Sequence, residues 1–447
     1  MKNIPLQYES LKAVLLYMDP NVRFIIAHRA PTIRSTERTV PLRVRYLELD
    51  EYSTAVNNTL YGVGVYRDYD ADEKIPSEVE MYNKYGVQYD FDRHGFPVAS
   101  GFSVLKPGDI LIGNLDRHDF EYDTVHVERA FRRALKRYEK SLYLLSNPSA
   151  SEASDDEEEE EEEEYNDSTD MSKEELEDLI DSTRDALLPF ECRRFNLKPP
   201  YTCYIQLTIE SGEKRQIQRF PYKMKVYEAM KRLNNFLFGG RRSAIQVGEL
   251  YIHDRSFILR LPIGFQVRTK QLRYLSNLDN RNDSIVSMLD SSYFPLDVVS
   301  IYVNHQFQIP IVTSAKKLII HNLGIVYDVS LSPLIRKCSN PHVVLADTFL
   351  FITAEGLFEA VQLWIDGSQS IETSVSLGIE KEETVKELFK LIKARVENTK
   401  RTKRCFSMRT QDNSRLEVFY VPIKSNKEQI MYGYDSKWIL KIRAVQF

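Results

Sequence analysis

Two histidines stand beside aspartates and are the first residues to consider for acid–base chemistry. His253 precedes Asp254, and His118 lies between Asp116 and Asp119. A histidine oriented by a carboxylate can act as a general base near neutral pH. Both groups fall on predicted turns, where such neighbours more often cap the backbone or remain solvated. We therefore expect neither to be catalytic.

The sequence lacks the motifs of the common enzyme and cofactor classes. It contains no G-x-S-x-G, H-E-x-x-H, G-x-x-x-x-G-K-[ST] or protein-kinase signature. Gly62 and Gly64 begin a dinucleotide fingerprint, but Arg67 stands where the third glycine belongs. Asp90 begins a stretch resembling a calcium loop whose twelfth position is Gly101 instead of glutamate. We expect a protein that is not an enzyme, with no catalytic residue, no metal site and no cofactor.

Cysteine spacing and hydropathy indicate the cellular compartment in which the protein is expected. The four cysteines form no C-x-x-C pair, which indicates reduced, mostly buried thiols: Cys192, Cys203, Cys338 and Cys405. The first residues contain no apolar signal-peptide core, and no run of about 18 apolar residues predicts a membrane span. We therefore expect a cytoplasmic protein without a membrane partner. The basic tract Lys400-Arg401-x-Lys403-Arg404 is either a solvated loop or a nuclear signal, which makes the nucleus a second location.

The net charge of −5 conceals an acidic segment in a mildly basic chain. Residues 152–170 contain thirteen carboxylates and no lysine or arginine, including eight consecutive glutamates from Glu157 to Glu164. Like charges one helical turn apart repel, and the segment has almost no apolar side chain to bury. We expect a disordered acidic linker over residues 149–172. An acidic interaction segment is the alternative, and Ser154, followed by three acidic residues, is a candidate phosphorylation site.

A basic helix is predicted directly before this linker, from Thr124 to Leu145. Its inward side is apolar, with Phe131, Leu135, Tyr138, Leu142 and Leu145. Its outward side is basic, with Arg129, Arg132, Arg133, Lys136, Arg137 and Lys140. Nucleic acid is one possible partner for such a face. A solvated face attracted to the acidic run is the interpretation we favour, so nucleic-acid binding stays a minor alternative.

Local patterns predict most of the remaining elements. Tyr8 to Asp19 and Asn21 to His28 are predicted helices, and Pro31 and Pro41 should remove or shorten a third. Arg43 to Glu48, Gly62 to Tyr66 and Ile110 to Ile112 are predicted strands. A capping box at Ser172 and Glu175 begins a helix that Pro189 should end. Tyr201 to Ile209 should form a hairpin with Gln216 to Phe220 through Gly212.

The stretch from Phe220 to Leu261 predicts a helix, a glycine stop and a strand. Val226, Met230, Leu233 and Leu237 share one helical face, and Gly239 and Gly240 supply the left-handed conformation that ends it. Arginines after the glycines suit the negative end of the helix. Glycines that follow a helix cannot form an anion cradle, which needs a helix N-terminus. We therefore expect this segment to form part of a protein surface and not an anion-binding site.

Short strands recur beyond this segment, centred near Leu250, Leu272, Ile301, Leu318, Leu345 and Leu377. Helices are predicted between several of them, at Ser284 to Leu289, Ala354 to Ile365 and Glu382 to Val396. A hairpin of Arg404 to Thr410 with Arg415 to Val421 follows, and a last strand, Trp438 to Val445, should cap the end. This alternation is typical of leucine-rich and related α/β solenoids. An ordinary α/β sheet with right-handed crossovers is the alternative.

Several short motifs resemble a nematode family of F-box-related proteins, the F-box C proteins, which carry a domain of unknown function. The matching residues are Tyr8-x-x-Leu11-Lys12-x-Val14-Leu15, Arg29-x-Pro31, Asn57-x-Thr59-x-Tyr61, Pro107-Gly108-Asp109, Gln206-Leu207-Thr208, Phe238-Gly239-Gly240-Arg241, Leu363-Trp364-Ile365 and Ser376-Leu377-Gly378. The start of the chain also resembles the first helix of an F-box, which docks on the adaptor subunit of cullin ubiquitin ligases. The resemblance implies docking residues at Pro5, Leu11, Val14, Leu15, Met18, Pro20 and Phe24.

From these patterns and the resemblance we expect four segments along the chain and one function. We predict degenerate F-box-like helices over residues 1–40, a small α+β domain over 41–148, the linker, and a leucine-rich-repeat-like α/β solenoid over 173–447. The resemblance implies a non-enzymatic adaptor that recruits an unknown protein client to a ubiquitin ligase. A binding protein that has lost ligase docking is the alternative, because the third helix is weak.

Overall fold

The computed structural model describes most of the chain. The described ranges are residues 8–98, 104–112, 124–147, 171–253, 258–274, 282–302, 309–321, 331–346, 352–367, 372–410, 414–432 and 435–446. Of the predicted features, Pro5, His118, Ser154, Asp254 and the acidic run lie outside these residues.

Thirteen α-helices occur within the described ranges. They are α1 (Tyr8–Tyr17), α2 (Pro20–Arg29), α3 (Arg34–Thr39), α4 (Ser77–Asn83), α5 (Val125–Ser146), α6 (Lys173–Phe195), α7 (Val226–Phe238), α8 (Asn282–Val286), α9 (Pro310–Thr313), α10 (Leu331–Lys337), α11 (Ala354–Ile365), α12 (Glu382–Arg395) and α13 (Asn426–Tyr432). None of these helices has the length and the unbroken apolar character that crossing a membrane requires.

Twenty β-strands accompany them in the same ranges. They are β1 (Arg43–Leu49), β2 (Ser53–Val56), β3 (Thr59–Tyr69), β4 (Asp90–Phe91), β5 (Pro97–Val98), β6 (Ile110–Leu111), β7 (Tyr201–Ser211), β8 (Lys214–Pro221), β9 (Ile245–Ile252), β10 (Ile258–Leu259), β11 (Val267–Arg268), β12 (Gln271–Tyr274), β13 (Val298–Tyr302), β14 (Lys317–His321), β15 (His342–Leu345), β16 (Ser374–Ile379), β17 (Lys400–Arg401), β18 (Cys405–Arg409), β19 (Arg415–Pro422) and β20 (Trp438–Val445).

The molecule is a mixed α/β protein built on one large mixed sheet. Sixteen strands join in the order β17-β18-β19-β20-β16-β15-β14-β13-β12-β9-β1-β2-β3-β7-β8, with β11 attached to β9. The middle of the sheet, from β9 through β12 to β16, is parallel, and its strands lie side by side in chain order. All six predicted strand centres fall in these strands, so that part of the sequence pattern is confirmed.

Alternate residues of the parallel strands form the main core. Leu250, Leu272, Val299, Leu318 and Leu345 are at most 3% exposed. They pack in one apolar cluster with Leu357, Val361 and Trp364 of α11 and with Leu388 and Ile392 of α12. Because successive side chains of a strand point to opposite faces, this burial leaves the intervening residues on the other side of the sheet.

The sheet continues through the predicted segment boundaries. On one side β1 pairs in parallel with β9, and β3 pairs with β7 along eleven residue positions, from Thr59–Ser211 to Tyr69–Tyr201. On the other side β16 is followed by antiparallel β20, β19, β18 and β17. The prediction that Trp438–Val445 caps the end is therefore wrong, because β20 lies inside the sheet between β16 and β19.

Of three local predictions, the one for Pro189 is wrong and the other two agree with the structure. Pro189 lies inside α6 and not at its end. Burial of Pro189, Phe190 and Cys192 on one side explains why the helix persists despite the missing hydrogen-bond donor. A short third helix, α3, does form between Pro31 and Pro41. The capping box of Ser172 and Glu175 forms as predicted.

Candidate protein-interaction surface

The first two helices turn several apolar side chains toward solvent. Val14 and Tyr17 of α1, three residues apart, are 44% and 83% exposed. Val22 and Ile25 of α2, again three residues apart, are 44% and 50% exposed. A spacing of three residues places each pair on one side of its helix. The two exposed pairs, one on each helix, are together called the outer apolar face.

The predicted docking residues divide between this face and the interior. Val14 is exposed, Leu11 and Met18 are half-buried, and Leu15, Pro20 and Phe24 are buried. The Phe24 ring packs edge-on against Tyr61 and Phe238, with centroids 6.4 and 6.2 Å away. Phe24 thus belongs to the main core of the chain, and α2 is anchored through its inner side.

Sequence reasoning did not assign Tyr17, Val22 or Ile25 to this face. It favoured apolar residues that share the Leu11–Leu15 stripe, which is the stripe that packs inward. The signal in the sequence was the presence of apolar residues also on the second side of these two short helices. The solvent-facing side of a surface helix usually carries polar residues. Exposed apolar residues grouped in this way mark interaction sites more often than single ones do.

A buried ion cluster holds the N-terminal helices against the sheet. The Glu37 carboxylate of α3 accepts hydrogen bonds from Arg23 Nε at 3.0 Å and from Arg241 Nη2 at 2.9 and 3.2 Å. Arg23 also donates to the backbone oxygens of Glu37, Val40 and Pro41. Burial lowers the pKa of both arginines, and their mutual repulsion lowers that of Arg23 further. A cluster of this kind fixes geometry because removing one member leaves a buried charge unpaired.

The segment that ends α7 completes this cluster. Arg241 donates to the carbonyl of Leu237 at 3.1 Å, as expected for a cation at a helix end. Only Gly240 is left-handed, with φ +71°, whereas Gly239 has φ −69°. Gly239 is required for a different reason, since a Cβ there would lie 2.5 Å from the carbonyl oxygen of Asn235. The prediction that both glycines are left-handed is corrected accordingly.

The motif Asn57-x-Thr59-x-Tyr61 forms hydrogen bonds with residues at the start of α2. Asp19 caps α2 by accepting from the backbone nitrogen of Asn21 at 2.9 Å, and Asn57 Nδ2 donates to the same carboxylate. The Tyr61 hydroxyl donates to Asn21 Oδ1 at 2.9 Å. Asn57 is left-handed, with φ 56°. These contacts give the motif a structural role at the α2 junction.

The motif Pro107-Gly108-Asp109 forms a second buried ion cluster. Asp109 accepts from Lys231 Nζ at 2.6 Å, from Arg260 Nη1 at 2.7 Å and from the backbone of Lys106 at 2.9 Å. The side chains of Asp109 and Arg260 are fully buried. Gly108 has φ +90°, and a Cβ there would lie 2.7 Å from the backbone of Pro262. This cluster ties the loop to α7.

A cavity of about 270 Å³ lies between α4, α5 and α6. Aromatic rings form much of its wall: Tyr82, Tyr89, Phe91, Phe96, Phe131 and Phe190. Its one buried cation, Arg67, pairs with Asp185 at 2.8 Å, and the Tyr69 hydroxyl donates to the other oxygen of that carboxylate. The polar groups at the base of the cavity thus form hydrogen bonds with one another, and the part of the wall that remains for contact with a ligand is apolar.

The described residues contain no group of three or more histidine, cysteine, aspartate or glutamate side chains that could hold a metal ion.

Burial raises the pKa of Cys203 to about 11 and that of Cys338 to about 12, so neither is a thiolate nucleophile at neutral pH. Asp90 and Asp92 occupy structural positions: Asp90 accepts from the Val226 nitrogen, and Asp92 accepts from the nitrogens of His94 and Phe96.

One family model matches part of the chain. Residues 225–381, less than half of the sequence, match a domain of unknown function (DUF3557). The matched region runs from α7 to β16 and so includes the consecutive parallel strands from β9 to β16. No curated protein matches the chain. No solved structure matches it either.

Proposed function

We propose that the chain is a non-enzymatic interaction protein whose first helices dock on the adaptor subunit of a cullin ubiquitin ligase and whose parallel-strand region binds a protein client. The observation that carries the docking half is the outer apolar face of Val14, Tyr17, Val22 and Ile25. Apolar side chains on short helices are what a helical adaptor groove would bury. The resemblance of residues 4–20 to the start of an F-box supports the choice of partner.

The client-binding half rests on the arrangement of the parallel strands. Consecutive strands lie side by side with α11 and α12 on one face. On the opposite face α13 packs over Ile319 and Val344, and the remaining strand positions form the proposed surface. Leucine-rich-repeat solenoids use such a surface for recognition. We propose the same use here, in a solenoid-like unit that includes residues 245–379.

The alternative is a binding protein that no longer docks on a ligase. Burial of Leu15, Pro20 and Phe24 in the chain's own core favours it, because those side chains contact other parts of this molecule. The two proposals differ only in the role of the outer apolar face.

Co-purification separates them. The full chain, the double variant Val14→Asp/Ile25→Asp and the control Ile263→Asp are expressed with the ligase adaptor subunit and recovered through a tag. Ile263 is 76% exposed and distant in sequence from both helices, which makes it a matched control. We expect the double variant to recover at least tenfold less adaptor, with an unchanged unfolding midpoint, and the control to recover as much as the natural chain. Failure of the natural chain to recover adaptor rejects docking.

A further inference from the structure

The large sheet ends on one side in β8, whose outer edge is open. β8 pairs antiparallel with β7, from Ser211–Lys214 to Tyr204–Pro221, and no strand follows it in the order of the sheet. Within the part of the chain that the structure describes, no other strand or helix forms a backbone hydrogen bond with this edge. An edge strand of eight residues presents a row of backbone N–H and C=O groups to which a further strand can pair.

The geometry of the hairpin determines which residues face the open edge. Gly212, with φ +58°, begins the two-residue turn between β7 and β8. The residue pair that flanks such a turn exchanges hydrogen bonds, and along an antiparallel ladder such pairs alternate with pairs that exchange none. Counting from the turn, the backbone N–H and C=O groups of Arg215, Ile217 and Arg219 therefore point away from β7.

The side chains of these three residues form a row on one face of the sheet. Successive side chains of a strand point to opposite faces, so Arg215, Ile217 and Arg219 lie on the same side. Ile217, between the two arginines, is 41% exposed and can be covered by an apolar side chain of an added strand. The three residues are together called the cationic edge.

Aromatic rings hold the two arginines of the cationic edge in position. The guanidinium carbon of Arg215 lies 4.2 Å from the centroid of the Tyr85 ring, and that of Arg219 lies 3.5 Å from the centroid of the Tyr66 ring. Arg219 Nε also donates to Gln206 Oε1 at 3.1 Å. Stacking on a ring restricts a side chain that binding would otherwise have to immobilise. The two cations are therefore oriented before a partner arrives.

Neither arginine forms an ion pair with a carboxylate of the described residues. Nε and Nη2 of Arg215 are buried and have no hydrogen-bond partner there, and Arg219 binds a neutral amide. Glu210 of β7 is the register partner of Arg215, on the inner side of β8, but it does not approach to ion-pair distance. β8 itself contains three basic residues and no acidic one. A carboxylate on the outer side would thus supply a counter-charge that the guanidinium groups lack.

These charges decide which kind of strand can be added. A second copy of β8, paired antiparallel about Ile217, would place Arg215 opposite Arg219 of the other copy. Like charges directly opposite each other destabilise a sheet, and basic residues on an edge discourage unspecific pairing. A strand with one acidic residue two positions before an apolar residue, and another two positions after it, would pair with both arginines and cover Ile217.

We propose that the cationic edge binds an extended acidic segment of a partner protein, which adds to the sheet as a strand beside β8. The segment carries two carboxylates four positions apart and an apolar residue midway between them. The inference goes beyond the proposed function, because the cationic edge shares no residue with the outer apolar face or with the parallel strands from β9 to β16.

Fluorescence anisotropy with two peptides of the same composition tests the spacing. The first, fluorescein-labelled Ser-Glu-Thr-Val-Thr-Glu-Ser, has both glutamates and the valine on one face when extended. The second, Ser-Thr-Glu-Val-Glu-Thr-Ser, has the same charge, but its glutamates lie on the face opposite the valine. Both peptides are titrated with the full chain at physiological salt. We expect the first to bind at least tenfold more tightly. Equal affinities overturn the proposal, because charge alone would then explain binding.

Variants of the chain locate the site. Arg215→Gln/Arg219→Gln removes both charges, and Ile217→Pro removes an outward N–H at an edge position that tolerates proline. The matched control Arg129→Gln/Arg133→Gln removes two exposed charges four residues apart on α5. We expect each edge variant to bind the first peptide at least tenfold more weakly and the control to change its affinity by less than twofold. Unfolding midpoints show that each variant is folded, and the comparison of the two peptides on the natural chain does not depend on any variant.

Four results would overturn the proposal in addition to equal peptide affinities. The first is absence of binding by the natural chain, and the second is unchanged binding by Ile217→Pro, which would exclude strand addition. Tighter binding after deletion of residues 152–164 would make the chain's own acidic run the occupant. A dimer in sedimentation that the proline variant abolishes would make the occupant a second copy. The ligase adaptor is absent from every arm, so failed docking cannot produce these results.

Discussion

Glu37 and Arg241 are 204 residues apart in the chain, yet their side chains meet in a buried ion pair 2.9 Å long. The contact joins α3 to the end of α7, and Arg23 of α2 completes it by binding the same carboxylate oxygen, Oε1. The N-terminal helices are therefore part of the folded body that carries the large sheet. An interaction made by their outer apolar face would be presented in a defined orientation to that sheet.

Replacing Glu37 with glutamine should destabilise the whole protein. Two buried guanidinium groups would lose their counter-charge, and breaking such a cluster costs about 3–5 kcal/mol in free energy of unfolding. Denaturant unfolding measures the change. The control Glu383→Gln removes an exposed carboxylate and should leave the midpoint unchanged. A similar small effect for both variants would show that the cluster does not hold the helices.

The two glycines after α7 should respond differently to alanine. Gly240→Ala forces a non-glycine residue into the left-handed region at a cost of about 1–2 kcal/mol, with Arg38 Nη1 3.1 Å from the new Cβ. Gly239→Ala should cost more, because its Cβ would meet the Asn235 carbonyl oxygen, which belongs to the helix backbone and cannot rotate away. Thermal unfolding of the two variants gives the order. The reverse order would contradict the close approach at Gly239.

Asp109→Asn should also lower stability strongly. Lys231 and Arg260 would keep their charges in a buried site without the carboxylate that pairs with both. The expected loss is about 3–5 kcal/mol by the same physics as at Glu37. Denaturant unfolding measures it, with Asp297→Asn as a control, because the Asp297 pair with Lys316 is largely solvated. Equal losses at the two positions would rule out the buried-charge explanation.

The thiol of Cys338 should resist alkylation in the folded protein. Burial raises the pKa of Cys338 to about 12, well above the usual range near 8.5. A raised thiol pKa means that the native state keeps the proton longer than the unfolded state. Its contribution to stability is therefore complete below about pH 8.5 and is lost as the pH rises toward 12. Iodoacetamide labelling followed by peptide mass spectrometry should modify Cys338 far more slowly in native protein than in denaturant. Equal rates would contradict its burial.

The short elements of this protein could be predicted from the sequence, because their signals are local. Apolar spacing located α7, α11 and α12, and β-branched runs located the six parallel strands. Capping chemistry located the start of α6 at Ser172. Each of these signals involves residues within a few positions of one another, so no knowledge of distant partners is needed.

Pairing over long distances was decided only by the tertiary structure. Parallel β1 and β9 lie about two hundred residues apart, and nothing in either strand's pattern identifies the other. Packing likewise kept Pro189 inside α6 and buried Phe24 between Tyr61 and Phe238, where a local reading expected a helix end and a docking residue. Periodicity shows that a side chain is apolar and which side of its element it occupies. Whether that side meets the chain's own core or is left for a partner depends on what folds against it, and this is why the outer apolar face became visible only in three dimensions.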